Sequence, residues 1–249
     1  MTEIYELIKE DIDSTIRKLL TAKLIINPKF NPEKHCKYNK ISSNREETGI
    51  NKTSTYVQNF MKSLDKNEYL FMLFDYSYVQ VNYEFIVPKG EKEKVVSKAN
   101  LTFFPNPGLY SEDIIVDLQS IYDEEERENY HQFYKEYTLD FEYASNYIRL
   151  DYDRKPTSFT EFIHPRCHIH IGLHNNFRLG VTKLPLLSDF IDFVLYVNYI
   201  DKWKEYHSTG VDDLNSYLIS LVNKKQTEKL TEHDSVLTIN ELKHYLVSL

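Results

Sequence analysis

Cysteine and glycine are scarce in this chain, with two cysteines and six glycines among 249 residues. Two cysteines, Cys36 and Cys167, provide neither a disulfide framework nor a four-cysteine zinc site, and they indicate a reducing compartment. The sequence also lacks a P-loop, a dinucleotide-binding fingerprint, a His-Glu-x-x-His zinc motif and a nucleophile elbow. The enzyme classes that depend on those motifs are therefore excluded.

Positive charge is also in short supply. The chain has 30 Lys and Arg against 38 Asp and Glu, which gives a net charge of −8. Non-specific affinity for nucleic acids depends on neutralising phosphates with Lys and Arg, so this balance disfavours a broad phosphate-binding surface. A local basic cleft remains compatible with it.

Long apolar runs are missing as well. The most apolar stretch, 184–200, is interrupted by Pro185, Ser188 and two aspartates, so it does not match a membrane span. The first twenty residues carry acids throughout and lack the basic region and apolar core of a signal peptide. We therefore expect a cytoplasmic protein without membrane association.

Apolar and aromatic residues are plentiful, at 41% and 14% of the chain. A chain of this length and content can bury a full core. The 20 tyrosines are compatible with a base-stacking surface, but core and strand positions in a protein from an AT-rich genome explain them better.

Helical periodicity is found at both ends of the chain and strand-like alternation in the middle. Helices are predicted at 3–26, 53–64, 123–134, 188–203, 211–223 and 238–247. Strands are predicted at 69–87, 95–104, 114–118, 137–153 and 168–174, and residues 28–52 are predicted to be a loop. The helix from Ser188 is expected to bury one face, made up of Phe190, Phe193, Val194, Val197 and Ile200.

This order of elements predicts the fold class. No strand–helix–strand alternation runs through the chain, so a doubly wound parallel sheet is disfavoured. We predict a single α+β domain over residues 1–249, with a central, mainly antiparallel sheet flanked by N-terminal and C-terminal helices.

Titratable side chains alternate with apolar ones on two of the predicted strands. Arg149, Asp151 and Asp153 share one face of the first strand, and His168 and His170 share one face of the second. If the strands pair antiparallel, these five side chains converge on one patch of sheet. Clusters of His and carboxylate bind transition metals, and they also perform acid–base chemistry without a metal. The five residues are therefore candidate catalytic residues, and a divalent metal is one candidate cofactor.

Three more residues lie near this patch in the sequence. His164 precedes the His-x-His strand and His174 follows it, so both are candidates for contact with a substrate. Arg178 comes next and is a candidate anion clamp, because a guanidinium group suits phosphate or carboxylate.

Structural explanations compete with each of these assignments. His168 and His170 also fit a solvated sheet face that binds no ligand. Arg149 and the two aspartates also fit an exposed cross-strand ion pair, which contributes little to stability. Cys167 fits a small buried apolar side chain better than a nucleophile.

The segments R-L-D-Y-D (149–153) and H-P-R-C-H-I-H-I-G (164–172), Arg178 and the apolar helix over 185–199 resemble a family of uncharacterised bacterial proteins classed as a domain of unknown function. Its recurring pattern is an arginine–aspartate strand, a His-Pro-x-x-His-x-His-x-Gly segment and an apolar helix. The resemblance covers residues 140–205 and implies no established activity. Some similar small proteins lie beside toxin or phage-defence genes, which favours a nuclease or its partner among the possible functions.

Three functions stay open at this point. The first is a phosphodiester hydrolase acting on RNA, DNA or a nucleotide, in a bacterial defence or toxin system. The second is a non-enzymatic adaptor or regulator that binds a protein encoded nearby, since an acidic, Tyr-rich surface suits a protein interface. The third is a small-molecule sensor. Convergence of the five candidate side chains in a concave pocket favours the enzyme, and dispersal over a flat sheet favours the partner.

Overall fold

A computed structural model of the protein describes residues 4–26, 28–43, 56–107, 146–155, 157, 159–172, 178–181, 184 and 186–208, together with Glu125 and Asn129. Within these residues, the helices are α1 (Ile4–Thr21), α2 (Pro32–His35), α3 (Tyr56–Asp65), α4 (Leu187–Asn198) and α5 (Ile200–Ser208). The strands are β1 (Ile25–Ile26), β2 (Cys36–Lys37), β3 (Lys40–Ser42), β4 (Phe71–Leu73), β5 (Tyr78–Ile86), β6 (Val95–Phe104), β7 (Ile148–Asp153), β8 (Cys167–Ile171) and β9 (Leu179–Gly180). The predicted α+β class is confirmed.

The nine strands form one sheet in which every pairing is antiparallel. Its order is β1-β4-β5-β6-β7-β8-β9. In addition, β3 pairs with residues 82–84 of β5, and β2 pairs with β3. The antiparallel pairing of the Arg149 strand with the His168 strand, on which convergence of the candidate residues depends, is confirmed, because β7 and β8 are antiparallel neighbours.

Alternation along the strands separates an apolar face of the sheet from a polar one. The apolar face is covered by α1 and α4, whose buried side chains join the main core. One cross-strand row on this face consists of Val81, Leu101, Leu150 and Ile169. The adjacent row lies on the opposite face and consists of Asn82, Asn100, Asp151 and His168. The core and the polar row therefore come from the same strands.

Aromatic side chains close one end of the polar face beneath α3. Phe60 of α3 lies 4.8 Å from Tyr78 between ring centroids, and Tyr78 stacks on Phe104 at 4.7 Å. Tyr147 meets Phe104 edge-on at 5.2 Å. Burial of this cluster holds α3 against the sheet. Tyr78 and Tyr147 are thus core residues, as expected for most of the tyrosines.

A predicted loop and a predicted strand were each partly wrong. Part of the predicted loop at 28–52 forms α2, β2 and β3, and β3 pairs with β5. Strands of two or three residues show too little alternation to be recognised. The strand-like segment 69–87 is divided into β4 and β5 by a turn, in which the carboxylate of Asp75 accepts a hydrogen bond from the Ser77 N–H at 3.0 Å.

The helix predicted at 188–203 is two helices, because the backbone leaves helical geometry at Tyr199, with φ −142° and ψ 61°. Its predicted buried face was also partly wrong. Val197 and Ile200 are 48% and 45% exposed, and Phe193 is half-buried. The buried side chains of α4 are Leu187, Phe190, Ile191, Val194 and Leu195.

Several predicted elements lie outside the described residues. These are the segments 114–118, 123–134 (apart from Glu125 and Asn129), 211–223 and 238–247. Within the part of the chain that the structure describes, no helix has the length and apolar character needed to cross a membrane.

We expect Phe190→Ala to lower the free energy of unfolding by about 3–5 kcal/mol, because the ring is fully buried and its removal leaves a cavity. Val197→Ala on the exposed side of α4 is the control and should change stability by less than about 0.5 kcal/mol. Chemical denaturation of both variants measures the difference. Equal losses would contradict the packing of α4.

Candidate metal centre

Three side chains that can bind a metal converge on β7 and β8. The register sets Asp151 opposite His168 and Arg149 opposite His170, with all four on the polar face. One ligand atom from each of Asp151, His168 and His170 lies within 4.8 Å of the others. Pairing of the two strands thus brings the carboxylate of one strand to the two imidazoles of the other, across the connection that separates them in the sequence.

The separations between these atoms fit a shared cation. The Nε2 atom of His170 lies 3.5 Å from Asp151 Oδ2, and that of His168 lies 3.9 Å from the same oxygen. Both distances exceed the usual range of a hydrogen bond. Two ligands of a tetrahedral zinc ion, each about 2.0–2.1 Å from the metal, lie about 3.3–3.4 Å apart. The two carboxylate–imidazole separations are therefore close to those of ligands that share one ion.

A backbone carbonyl sets the tautomer of His168. Its Nδ1 atom lies 2.8 Å from the carbonyl oxygen of Pro165. Because a carbonyl oxygen can only accept, Nδ1 carries the proton, and in the neutral ring Nε2 presents a lone pair toward Asp151. Histidines that bind metals commonly donate their other ring N–H in this way. The hydrogen bond from His168 to the Pro165 carbonyl was not predicted from the sequence. The His-Pro-x-x-His spacing sets this carbonyl three residues before His168.

Both imidazoles are neutral at ordinary pH because they are buried, with exposures of 4% for His168 and 6% for His170. Burial lowers the pKa of His168, although the Asp151 carboxylate opposes the shift. Burial, aided by the charge of Arg149, lowers the pKa of His170 to about 4. Metal binding requires unprotonated imidazole, so both rings are ready to ligate at neutral pH.

Two donors hold the Asp151 carboxylate in place. Arg149 Nε donates to Oδ2 at 2.8 Å, and Asn100 Nδ2 donates to Oδ1 at 2.5 Å. Thr102 Oγ1 donates to the Asn100 carbonyl oxygen at 2.9 Å, which turns the Asn100 amide N–H toward Asp151. Asn100 and Thr102 were not predicted, since their strand shows no titratable pattern and only its pairing with β7 reveals them.

A cleft of about 270 Å³ lies beside Asp151 and His168. The ring of His164 meets that of His168 edge-on, 5.0 Å away, at the wall of this cleft. Backbone hydrogen bonds between Thr160 and His164 close the turn that brings His164 there. The other polar side chains that line the cleft are Asn82, Lys98, Asn100, Asp153 and Arg166.

Comparison with known protein families identifies the family of the chain. Residues 25–248 match the family described as an uncharacterized conserved protein, DUF2290. The chain belongs to this family. No curated protein and no solved structure matches it. The expected membership in a family of unknown function is thus confirmed, and the site has to be interpreted from its own chemistry.

The other candidate residues in this DUF2290 protein lie outside the three-residue cluster, in different places. Asp153 and His164 line the cleft but do not belong to the three-residue cluster. Arg178 lies close enough to the cluster for its charge to lower the pKa of both His168 and His170. His174 lies outside the described residues. Cys167 is fully buried, as expected for a small core side chain, and burial raises the pKa of its thiol.

Because His168 and His170 are buried in the neutral form, we expect the free energy of unfolding to fall in acid. The pKa of His170 is about 4 in the folded protein and about 6.5 in an unfolded chain, so between these values the unfolded state binds more protons. Stability should therefore decrease as pH falls through this window, by up to about 1.4 kcal/mol per pH unit for each such histidine.

Denaturant unfolding at about pH 7, 6 and 5, with a chelator present to remove any contribution from metal, measures this slope. The double variant His168→Gln/His170→Gln should show a shallower slope than the wild type, because neither position then titrates. A slope that is unchanged in the double variant would show that other groups cause the acid sensitivity.

Proposed function

We propose that the protein is a phosphodiester hydrolase that uses one divalent metal ion and acts on a nucleic acid or a nucleotide. The observation that carries the proposal is the convergence of two neutral imidazoles and one carboxylate within 4.8 Å, beside a cleft that basic side chains help to line. We infer the reaction from the chemistry of this site, because the description of the family names no activity.

The donor set supports a catalytic rather than a purely structural ion. Asp151, His168 and His170 would supply three protein ligands, and catalytic zinc sites keep a fourth position open for water or substrate. Two histidines and one carboxylate are also the ligands of non-haem iron sites, so the donors alone do not select the metal. A bound divalent ion supplies a Lewis acid for a phosphoryl oxygen and an activated water.

The arginines divide into two roles under this proposal. Arg149 donates to Asp151 at 2.8 Å, so it holds a ligand and acts on the substrate only through that carboxylate. Arg178 adds positive charge near both histidines, and a guanidinium group matches the geometry of a phosphate. We therefore assign to Arg178 a contact with the phosphate at the metal ligands, apart from the cleft beside them.

A metal-free acid–base site is the main rival within the enzyme hypothesis. It gains support from Arg149, which already neutralises part of the charge on Asp151. Two observations weigh against it. The His170 Nε2 atom lies 3.5 Å from Asp151 Oδ2, beyond ordinary hydrogen-bond distance, and its pKa of about 4 is far from the neutral range that suits a general acid or base.

Metal binding is the first test. Purified wild-type protein titrated with Zn²⁺ or Mn²⁺ should bind one ion per chain by calorimetry and elemental analysis. His168→Ala and His170→Ala should each weaken that affinity by at least about 100-fold, since loss of an outer partner alone costs about 10–100-fold. Asp153→Asn, outside the three-residue cluster, should retain the ion. Equal binding by the wild type and both alanine variants would refute the metal centre.

Hydrolysis is the second test. The wild type should cleave bis(p-nitrophenyl) phosphate in the presence of the bound metal, and a chelator should abolish this activity. His168→Ala and His170→Ala should lose it while keeping the wild-type circular dichroism spectrum. Activity that survives chelation would favour the metal-free site, and a wild type that cleaves no phosphodiester in any metal would end the hydrolase proposal.

A non-enzymatic partner is the second candidate function. Tyr196, Val197 and Ile200 are 57%, 48% and 45% exposed, on the outer surface of the helices that cover the apolar face. Neighbouring exposed apolar side chains often mark interaction sites. If Tyr196→Ser/Val197→Ser abolishes cellular function while both histidine variants retain it, this candidate leads. A role in bacterial defence or a toxin system belongs to the same proposal, and its test is whether these variants change survival under phage challenge.

A further inference from the structure

The cleft beside the metal cluster is formed by three separate parts of the chain. Pairing of β6 with β7 sets Lys98 opposite Asp153 and Asn100 opposite Asp151. Pairing of β5 with β6 adds Asn82 next to Asn100. The turn that precedes β8 contributes the remaining wall. Two basic side chains from different elements, Lys98 and Arg166, therefore line one opening next to the metal ligands.

Arg166 is restrained by an aromatic contact. Its guanidinium carbon lies 5.4 Å from the centre of the Phe159 ring, within the range of a cation–π contact. A guanidinium group carries five N–H donors in a planar fork that matches the geometry of phosphate. Phosphate oxygens accept such paired N–H groups in a charge-assisted contact.

Asn82 lines the same cleft. Among the described residues, no donor lies within reach of its carbonyl oxygen, although that atom is shielded from solvent. Because that oxygen is shielded, it does not face the cleft, and Asn82 contributes to the wall next to Asn100.

The balance of charge in the cleft depends on the metal. Lys98 and Arg166 are opposed by the carboxylate of Asp153, which lines the same cleft and accepts a hydrogen bond from the Lys155 N–H at 2.9 Å. With a divalent ion at Asp151, positive charges around the cleft outnumber negative ones. An anionic ligand is then favoured on both electrostatic and geometric grounds.

The size of the cleft limits what it accepts. Its volume of about 270 Å³ is close to the lower end of the range of about 300–1,000 Å³ that is typical of small-molecule sites. One nucleotide unit is of this scale, and a duplex is far larger. Duplex binding also needs a broad basic surface, which a chain with a net charge of −8 disfavours.

We propose that this cleft is a subsite for one phosphorylated nucleoside unit, with Lys98 and Arg166 on the phosphate. The unit is a free nucleotide or the end of a single strand, and not the interior of a duplex. The inference rests on the proposed hydrolase function, because it names the substrate of that site.

The decisive measurement is binding of adenosine 5′-monophosphate and 3′-monophosphate to the full-length protein, by calorimetry with and without Mn²⁺. These monoesters are product analogues that a phosphodiesterase does not cleave. Lys98→Gln and Arg166→Gln should each weaken binding about tenfold, because each removes a charge-assisted contact. Lys92→Gln, an exposed lysine outside the cleft, is the matched control and should bind as the wild type does. Absence of binding, or equal affinity of the wild type and the Lys98/Arg166 double variant, overturns the proposal.

Competition experiments separate the two sources of the ligand. A linear single-stranded oligonucleotide with a terminal phosphate should displace the nucleotide if the subsite takes strand ends, whereas a circular single strand should not. Displacement by mononucleotides alone assigns the subsite to free nucleotides, and this result also supports the proposal. Displacement by a closed circular duplex as strong as that by single strands contradicts the size argument and overturns it.

The subsite and the hydrolase fail in different ways. If the nucleotides bind in a manner that depends on Lys98 and Arg166, yet no phosphodiester is cleaved in any metal, the subsite stands and the hydrolase is wrong. If bis(p-nitrophenyl) phosphate is cleaved and the double variant binds nucleotides as the wild type does, the hydrolase stands and the subsite is wrong.

Discussion

The antiparallel register between β7 and β8 is the constraint on which the rest of the site depends. It sets Asp151 opposite His168 and Arg149 opposite His170, so the three candidate metal ligands share one face. A slip of one residue would send every side chain of β7 to the other face, exchanging Asp151 for the core residue Leu150. The apolar row that packs beneath α1 and α4 prevents that slip. Hydrophobic burial therefore fixes the geometry of the polar cluster as well as the fold.

The cluster is costly to fold because it removes three titratable groups from water. Burial disfavours the charged form of an imidazole, and it therefore lowers the pKa of both His168 and His170. The Asp151 carboxylate accepts hydrogen bonds from Arg149 and Asn100, which replace part of its hydration. Buried titratable groups of this kind are typical of sites in which function, and not stability, selects the residues.

The sequence predicted the parts of this arrangement that follow from strand periodicity. Alternation identified the side chains that share a face of each strand, and the short connection between the two strands indicated that they are neighbours in the sheet. Alternation was not enough to find Asn100 or Asn82, since β6 and β5 approach β7 only through long-range pairing. Nor did it separate β4 from β5 or α4 from α5, where single turns interrupt otherwise continuous patterns.

The turn before β8 has a consequence for how two ligands influence each other. Pro165 orients His168 through its carbonyl oxygen, and the next residue, Arg166, lines the cleft. A ligand at Arg166 and a cation at His168 would therefore act on the same turn. Any such effect is reciprocal by thermodynamic linkage, so an anion that tightens metal binding must itself be bound more tightly when the metal is present. This short His-Pro turn is thus the place where cooperativity between metal and substrate would arise.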